Sequence, residues 1–402
     1  LHSPPTMSIR NIIDALRGET GFIYTAKARE LSKKGFKVIN FGVGQPDFPT
    51  PKHIVEEAKN ALDKGFTGYT DVAGIPELRQ AIADYLNERY NSDVKADEVI
   101  VTPGAKAALF LAFAAYVKPG DEVIIPDPSY YMYPEITKFL GGKPVYVPLK
   151  WMGGDKGFEL DLNSIENSIT SRTRAIVVNN PHNPTGAVFS QREMSKLLEI
   201  AMERNILVIV DEIYDNFVYD GDFKSFISFN NWRDYVVYAN GFSKTFSMTG
   251  WRLGYLVVRK EVASKLTKLA VNIWTCATSF VQKAGVKALK NSWDSVREMI
   301  ETFKRRRDVM VNELRKVSGV EVFKSKGTFY VYPNIEKVLK KMGIDVETFA
   351  NRLLDEKHVV VLPGTLFSET ELGKTFIRLS FALGEELIAE GIKRLREFVE
   401  RL

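Results

Sequence analysis

A single cysteine, Cys276, stands among 402 residues. That excludes an intrachain disulfide and a cysteine-rich metal site, and points to a reducing, cytoplasmic compartment. Long hydrophobic runs are missing too. The longest, 107–117, is too short to span a bilayer, so no membrane partner is expected. The first ten residues carry two prolines and no apolar core, which argues against a secretory signal. Residues before Met7 read as an extension to the fold. Neither sign of charge dominates: 55 basic and 50 acidic residues give a net charge of +5. No basic stripe marks a nucleic-acid surface. Internal repeats and low-complexity linkers are absent. Two nucleotide signatures are absent as well. The loop Gly42-Val43-Gly44 lacks the third glycine of a dinucleotide fingerprint, and no Walker-type loop occurs. What is there, with 45% hydrophobic and 26% charged residues, suits a globular protein long enough for two domains.

Helical spacing covers 11–37, 51–64 and 75–90, around a short strand at 38–41 and a Gly/Pro-rich loop at 42–51. From Val99 the pattern changes to strand–helix alternation. Short apolar strands fall at 99–102, 122–125, 144–147, 175–179, 207–211, 235–239 and 255–258. Such alternation predicts an α/β fold with a mostly parallel sheet covered on both faces. Ligands of such sheets bind beyond the carboxyl ends of the strands. After Lys283 the chain reads as helical for a long stretch, within which Arg305-Arg306-Arg307 reads as a solvated face. Strands at 320–323, 328–333, 359–362 and 375–380 predict a smaller mixed sheet, closed by a helix over 385–402.

The chemistry centres on Gly241-Phe242-Ser243-Lys244-Thr245-Phe246-Ser247-Met248-Thr249-Gly250-Trp251-Arg252-Leu253-Gly254. A loop between two buried strands is a poor place for a lysine that serves only solubility. Partly desolvated, Lys244 loses proton affinity and becomes an amine nucleophile toward carbonyls, whose commonest partner in metabolism is pyridoxal phosphate. Ser243, Ser247 and Arg252 then suit its phosphate; the plainer alternative is a basic surface loop. Gly104-Ala105-Lys106 follows a strand and opens an apolar helix, where backbone N–H groups can meet an anion. Tyr130, in Asp127-Pro128-Ser129-Tyr130, can stack on a flat heterocycle or pack under its loop. Asn183 is presented by Asn179-Asn180-Pro181-His182-Asn183-Pro184-Thr185-Gly186, and its amide can donate to a phenolic oxygen. His182 reads as a loop residue rather than a base. Asp211-Glu212-Ile213-Tyr214 ends a buried strand. A helix cap or a magnesium site is the alternative there, and without a Walker-type loop no metal is expected. Arg378 sits in the apolar run Phe376-Ile377-Arg378-Leu379-Ser380. It needs an anion, either a structural salt bridge or a substrate carboxylate.

Together these segments resemble the class I/II aminotransferases, pyridoxal-phosphate enzymes of fold type I. The motifs come in the family's order over nearly the whole chain. The Gly-x-Lys-x-Ala-Leu-type turn is most like the bacterial and archaeal aspartate aminotransferases. The resemblance implies a large domain, 48–290, with a mostly parallel seven-stranded sheet between helices. It implies a smaller, discontinuous α+β domain made of 7–47 and 291–402. It implies Lys244 as the catalytic, cofactor-bearing residue, and Tyr130, Asn183, Asp211, Tyr214, Ser243, Arg252, Gly104, Ala105 and Lys106 around the cofactor. Gly44, Asn183, Arg378 and Lys106 fall on the substrate side. The segment Tyr69-Thr70-Asp71…Gly74 implies a homodimer in which Tyr69 reaches the partner's cofactor phosphate. The expected reaction is ping-pong transfer from an L-amino acid, aspartate first, to 2-oxoglutarate. The alternatives are an aromatic, kynurenine or broad-specificity aminotransferase, or a carbon–sulfur β-lyase. A DNA-binding regulator is the rival from another class; it is not expected, because the forty or so residues before the Gly/Pro loop leave no room for a winged helix beside the family's own N-terminal segment.

Overall fold

The computed structural model describes residues 8–18 and 21–401. The expected boundary at Met7 and the segment before it lie outside the described residues. Seven strands build the large sheet: β1 (Val99–Thr102), β2 (Glu122–Asp127), β3 (Lys143–Pro148), β4 (Thr173–Asn179), β5 (Leu207–Asp211), β6 (Val236–Gly241) and β7 (Gly254–Val257). Their order is β1-β7-β6-β5-β4-β2-β3. Only β7 runs antiparallel to its neighbours. Along each strand alternate residues feed two separate cores. Val101, Ile124, Val178, Val210 and Tyr238 face one, while Ile100, Ile125, Val177, Ile209 and Ala239 face the other. Both faces being dry, the strands are continuously apolar, which is why they were legible as strands. The helix Ala105–Tyr116 covers one face; Pro76–Tyr90, packed with Ser279–Asn291, covers the other.

Toward the carboxyl end of the chain, β8 (Tyr330–Val331), β9 (Leu362–Pro363) and β10 (Ile377–Ser380) form a small antiparallel sheet in the order β8-β10-β9. Ile39–Asn40 comes back from the other end of the chain to pair, in parallel, with Val359–Val360. The long helix Trp293–Leu314 packs against Glu385–Glu400.

Three expectations need correction. The strand expected at 320–323 is a single bridge, Glu321 to Asn334, because no longer partner strand lies beside it. The helix expected over 11–37 is broken into Asn11–Ala15 and Phe22–Lys33, with Gly18 and Gly21 at the break. The Arg305-Arg306-Arg307 run is not a solvated face. Arg306 and Arg307 are buried. Arg306 forms a two-pronged bond with Asp47, at 2.7 and 2.9 Å, and Arg307 meets Asp220, Asp308 and the Ser325 carbonyl. Carboxylates from distant segments supply the counter-charge that a reading of the helix alone could not see.

Candidate active site

The carboxyl ends of β1, β2, β4, β5 and β6 open onto one cavity of about 450 Å³. Beyond β6 the chain makes a tight loop, with Ser247 and Arg252 both at φ +52°, where residues other than glycine are strained. Lys244 is carried on this loop and donates from Nζ to the Gly44 carbonyl at 2.6 Å. Burial pulls its pKa down to about 8, helped by the positive charges of Arg378, Lys106 and Arg252 and opposed by Asp211. Its amine is therefore partly unprotonated near neutral pH.

Asp211 ends β5 and is 4% exposed. Its Oδ2 accepts from the Tyr133 hydroxyl at 2.6 Å and its Oδ1 from the Ile213 N–H at 3.1 Å. Among the described residues its hydrogen-bond partners are neutral, and burial holds its pKa above the usual carboxylate range. Asn179, ending β4, donates to the Asp211 carbonyl and accepts the Asn183 N–H, and so fixes the Pro-rich loop to the strand next door. His182 within that loop is buried, pairs with Thr185 at 2.6 Å and is driven by burial to a pKa of about 3. It is neutral packing, as its setting suggested.

Arg378, on β10, enters from the small sheet. Its Nη1 donates to Asn183 Oδ1 at 3.1 Å, and its guanidinium lies 4.1 Å from the Tyr330 ring centre and 4.7 Å from that of Phe367. Its Nε is buried without a partner among the described residues. The Tyr330 hydroxyl lies 2.8 Å from that of Tyr214. After β1, Gly104 takes φ +91°, and a Cβ there would stand 2.5 Å from Arg252 Nη2. Gly254 is needed for a related reason: its Cβ would stand 2.4 Å from the Gly104 carbonyl carbon. Ala105, Ser243 and Arg252 line that same corner of the cavity. Lys106 also lines the cavity; its Nζ donates to the Tyr131 hydroxyl at 3.0 Å and sits 5.6 Å from the Tyr130 ring centre.

Of the residues expected at the site, Gly104, Ser247 and Tyr69 do not line the cavity: Gly104 lies behind Ala105 against Arg252, Ser247 turns its loop, and Tyr69 is 88% exposed. Among the lining residues that the sequence reading did not assign to the site are Tyr131, Tyr133, Asn179, Tyr330 and Phe367. The aromatic run Tyr130-Tyr131-Met132-Tyr133 carried a signal for two of them. Phe367 carried none.

The family described as aminotransferase class I and II matches residues 37–395. The chain belongs to that family. This aminotransferase is 53% identical over 389 residues to the aspartate aminotransferase of Sulfolobus acidocaldarius, covering 96% of each chain. The crystal structure of the Thermotoga maritima aspartate aminotransferase superposes with a TM-score of 0.90 at 38% identity, over 98% of this chain and 100% of that one. A Methanococcus jannaschii protein, described as similar in its active site to kynurenine aminotransferases, superposes with a TM-score of 0.88 at 36% identity, over 98% and 100%. The seven-stranded sheet agrees with the fold the resemblance implied, and the family implies pyridoxal phosphate as cofactor. Among the described residues no helix is long and apolar enough to cross a membrane.

Proposed function

We propose that this aminotransferase moves the amino group of L-aspartate to 2-oxoglutarate, using pyridoxal 5'-phosphate in a cytoplasmic homodimer. One observation carries the cofactor assignment: an amine lowered to about 8 shares a cavity with a buried carboxylate bonded by neutral groups. Such a carboxylate suits a protonated ring nitrogen, and the Gly104–Arg252 corner, which a Cβ would fill, suits a phosphate. The residues therefore fit the group. When bound, pyridoxal phosphate supplies an electron sink for the pair left at Cα.

The side chains divide the remaining work. Lys244 would hold the cofactor through its amine, and that amine would move the Cα proton as base and then acid. Asp211, oriented by Tyr133, would keep a ring nitrogen charged. Asn183 and Tyr214 would donate to a phenolic oxygen, and Tyr130 would pack on the ring. Ala105, through its N–H, would hold the phosphate together with Ser243 and Arg252; Gly104, whose own N–H is given to the Thr102 carbonyl, leaves the room that Arg252 needs, and Tyr69 of a second copy completes that site. Arg378 holds the substrate α-carboxylate with Asn183 and Gly44, and its unpartnered Nε is one donor free for the purpose. Two half-reactions then share one site in ping-pong order. The pairing of Ile39–Asn40 with Val359–Val360 supports a division into 48–290 and a discontinuous 7–47 with 291–402.

Lys106 carries the aspartate assignment. A cation in the first turn of a helix is unfavourable there, and this one lines the cavity bonded to a neutral tyrosine. It suits the second carboxylate of a dicarboxylic substrate. Lys106 is exposed in the open cavity, and a pair only partly desolvated by the bound substrate would contribute on the order of 2 kcal/mol, roughly thirtyfold in specificity. A second reading, aromatic substrates, is favoured by the Tyr130, Tyr131 and Phe367 rings around the same cavity. The test is kcat/KM for aspartate, phenylalanine and alanine with 2-oxoglutarate, in wild type and Lys106→Ala. Lys106→Ala should lose roughly thirtyfold on aspartate alone. An equal loss on all three assigns Lys106 to cofactor or fold, and release of a thiol, ammonia and pyruvate from an amino acid with a sulfur substituent on Cβ assigns the chain to the lyases.

A further inference from the structure

Tyr330 touches two groups with separate duties, and it does so with two parts of one side chain. Its ring lies 4.1 Å from the Arg378 guanidinium carbon. Its hydroxyl lies 2.8 Å from the Tyr214 hydroxyl. The residue is 1% exposed, so neither contact competes with bulk water. It reaches this place because Thr328, at φ +65°, turns the chain into β8, and because β8 pairs with β10, which carries Arg378. Phe367 closes on the same guanidinium from 4.7 Å.

We propose that Tyr330 is a positioning residue that serves both ends of the reacting molecule: its ring holds Arg378 ready for a carboxylate, and its hydroxyl strengthens Tyr214 as a donor. The inference rests on the roles proposed above for Arg378 and Tyr214. A phenol has one proton. If Tyr214 gives its proton to the cofactor's phenolic oxygen, the proton shared by the two tyrosines belongs to Tyr330. Tyr330 then donates to Tyr214, and donation into a phenol oxygen polarises its O–H and makes it a stronger donor onward. The charged and titratable groups facing the pair are Arg378 from β10, Lys244 from the loop after β6, and Tyr130 and Tyr133 from beyond the end of β2. Both variants below retain all of them.

The two contacts can be separated. Tyr330→Phe keeps the ring and deletes the hydroxyl; Tyr330→Met deletes the ring and fills much of its volume. Two properties of the holoenzyme are read: the pH midpoint of the bound cofactor's visible absorption, and the dissociation constant of maleate, a dicarboxylate with no amino group. Tyr330→Phe should raise the midpoint by about half a unit, because a weaker donor at the phenolic oxygen leaves more proton affinity in the cofactor. It should leave maleate binding within about twofold of wild type. Tyr330→Met should weaken maleate roughly fivefold through loss of the cation–π face. An unmoved midpoint in Tyr330→Phe, or unchanged maleate affinity in Tyr330→Met, overturns the corresponding half. Equal effects of the two variants on both readings reduce Tyr330 to packing and overturn the whole. Failure of the underlying reading looks different, since wild type itself would then show no cofactor absorption, or would bind no maleate.

Discussion

Lys244 is an amine with three cations for neighbours and one carboxylate to offset them. Its folded pKa of about 8 lies below the unfolded 10.5, so between those values the folded chain binds fewer protons than the unfolded one. Holding the ammonium in the cavity therefore costs stability below pH 8, and that cost fades as pH rises through the window. Cofactor-free Lys244→Met should resist urea better than cofactor-free wild type at pH 7, and the two midpoints should converge toward pH 10.5. Chemically, borohydride reduction of the holoenzyme followed by peptide mapping should leave the pyridoxyl adduct on Lys244; an adduct on another lysine ends that assignment. Lys244→Ala should keep its cofactor through Arg252 and Asp211, yet lose transamination by several orders of magnitude.

Among elements, the loop 42–50 is the one most at risk. Its carbonyls accept from Arg378 at Gly42 and from Lys244 at Gly44, Gln45 accepts from Thr249, and Thr50 bonds both Ser247 and Trp251. Its anchor to the long helix Trp293–Leu314 is the Asp47–Arg306 pair. Asp47→Ala should cost about 3 kcal/mol in urea unfolding by leaving a buried guanidinium unpaired, and adding Arg306→Met should restore part of that loss. This pair also shows where the sequence stopped being readable. Lys244, Asn183 and Asp211 were legible because each lies in a short segment whose own composition marks a strand end. The Arg306 carboxylate partner lies 259 positions away, and nothing in the helix names it. Tyr330 and Tyr133 were missed for the same reason: their partners, Tyr214 and Asp211, lie at the end of β5 and in the turn after it, far away in sequence. The expected strand at 320–323 failed because an apolar run becomes a strand only beside a partner of matching length. At the contact of β7 with the Gly104 turn, Gly254→Ala should cost about 1–3 kcal/mol and weaken cofactor affinity, read by urea unfolding and by fluorescence titration.

For the whole molecule, Tyr69 decides whether one chain suffices. It is exposed and stands apart from its own cavity. Mixing inactive Lys244→Ala with an inactive Tyr69 variant and allowing subunit exchange should restore up to about a quarter of wild-type activity, since half the dimers are hybrid and each has one intact site. A fully active monomer at assay dilution would refute the shared site. The meeting of Ile39–Asn40 with Val359–Val360 sets a clock on synthesis. All seven strands of the large sheet lie between residues 99 and 257, so a nascent chain can close that sheet while its last third is still being made. Gly42 and Gly44 are translated before the large sheet, and Arg378 more than a hundred residues after it. The cavity wall they build therefore waits for residue 378, and a chain stalled short of it has its large sheet but not the Arg378 side of its cavity.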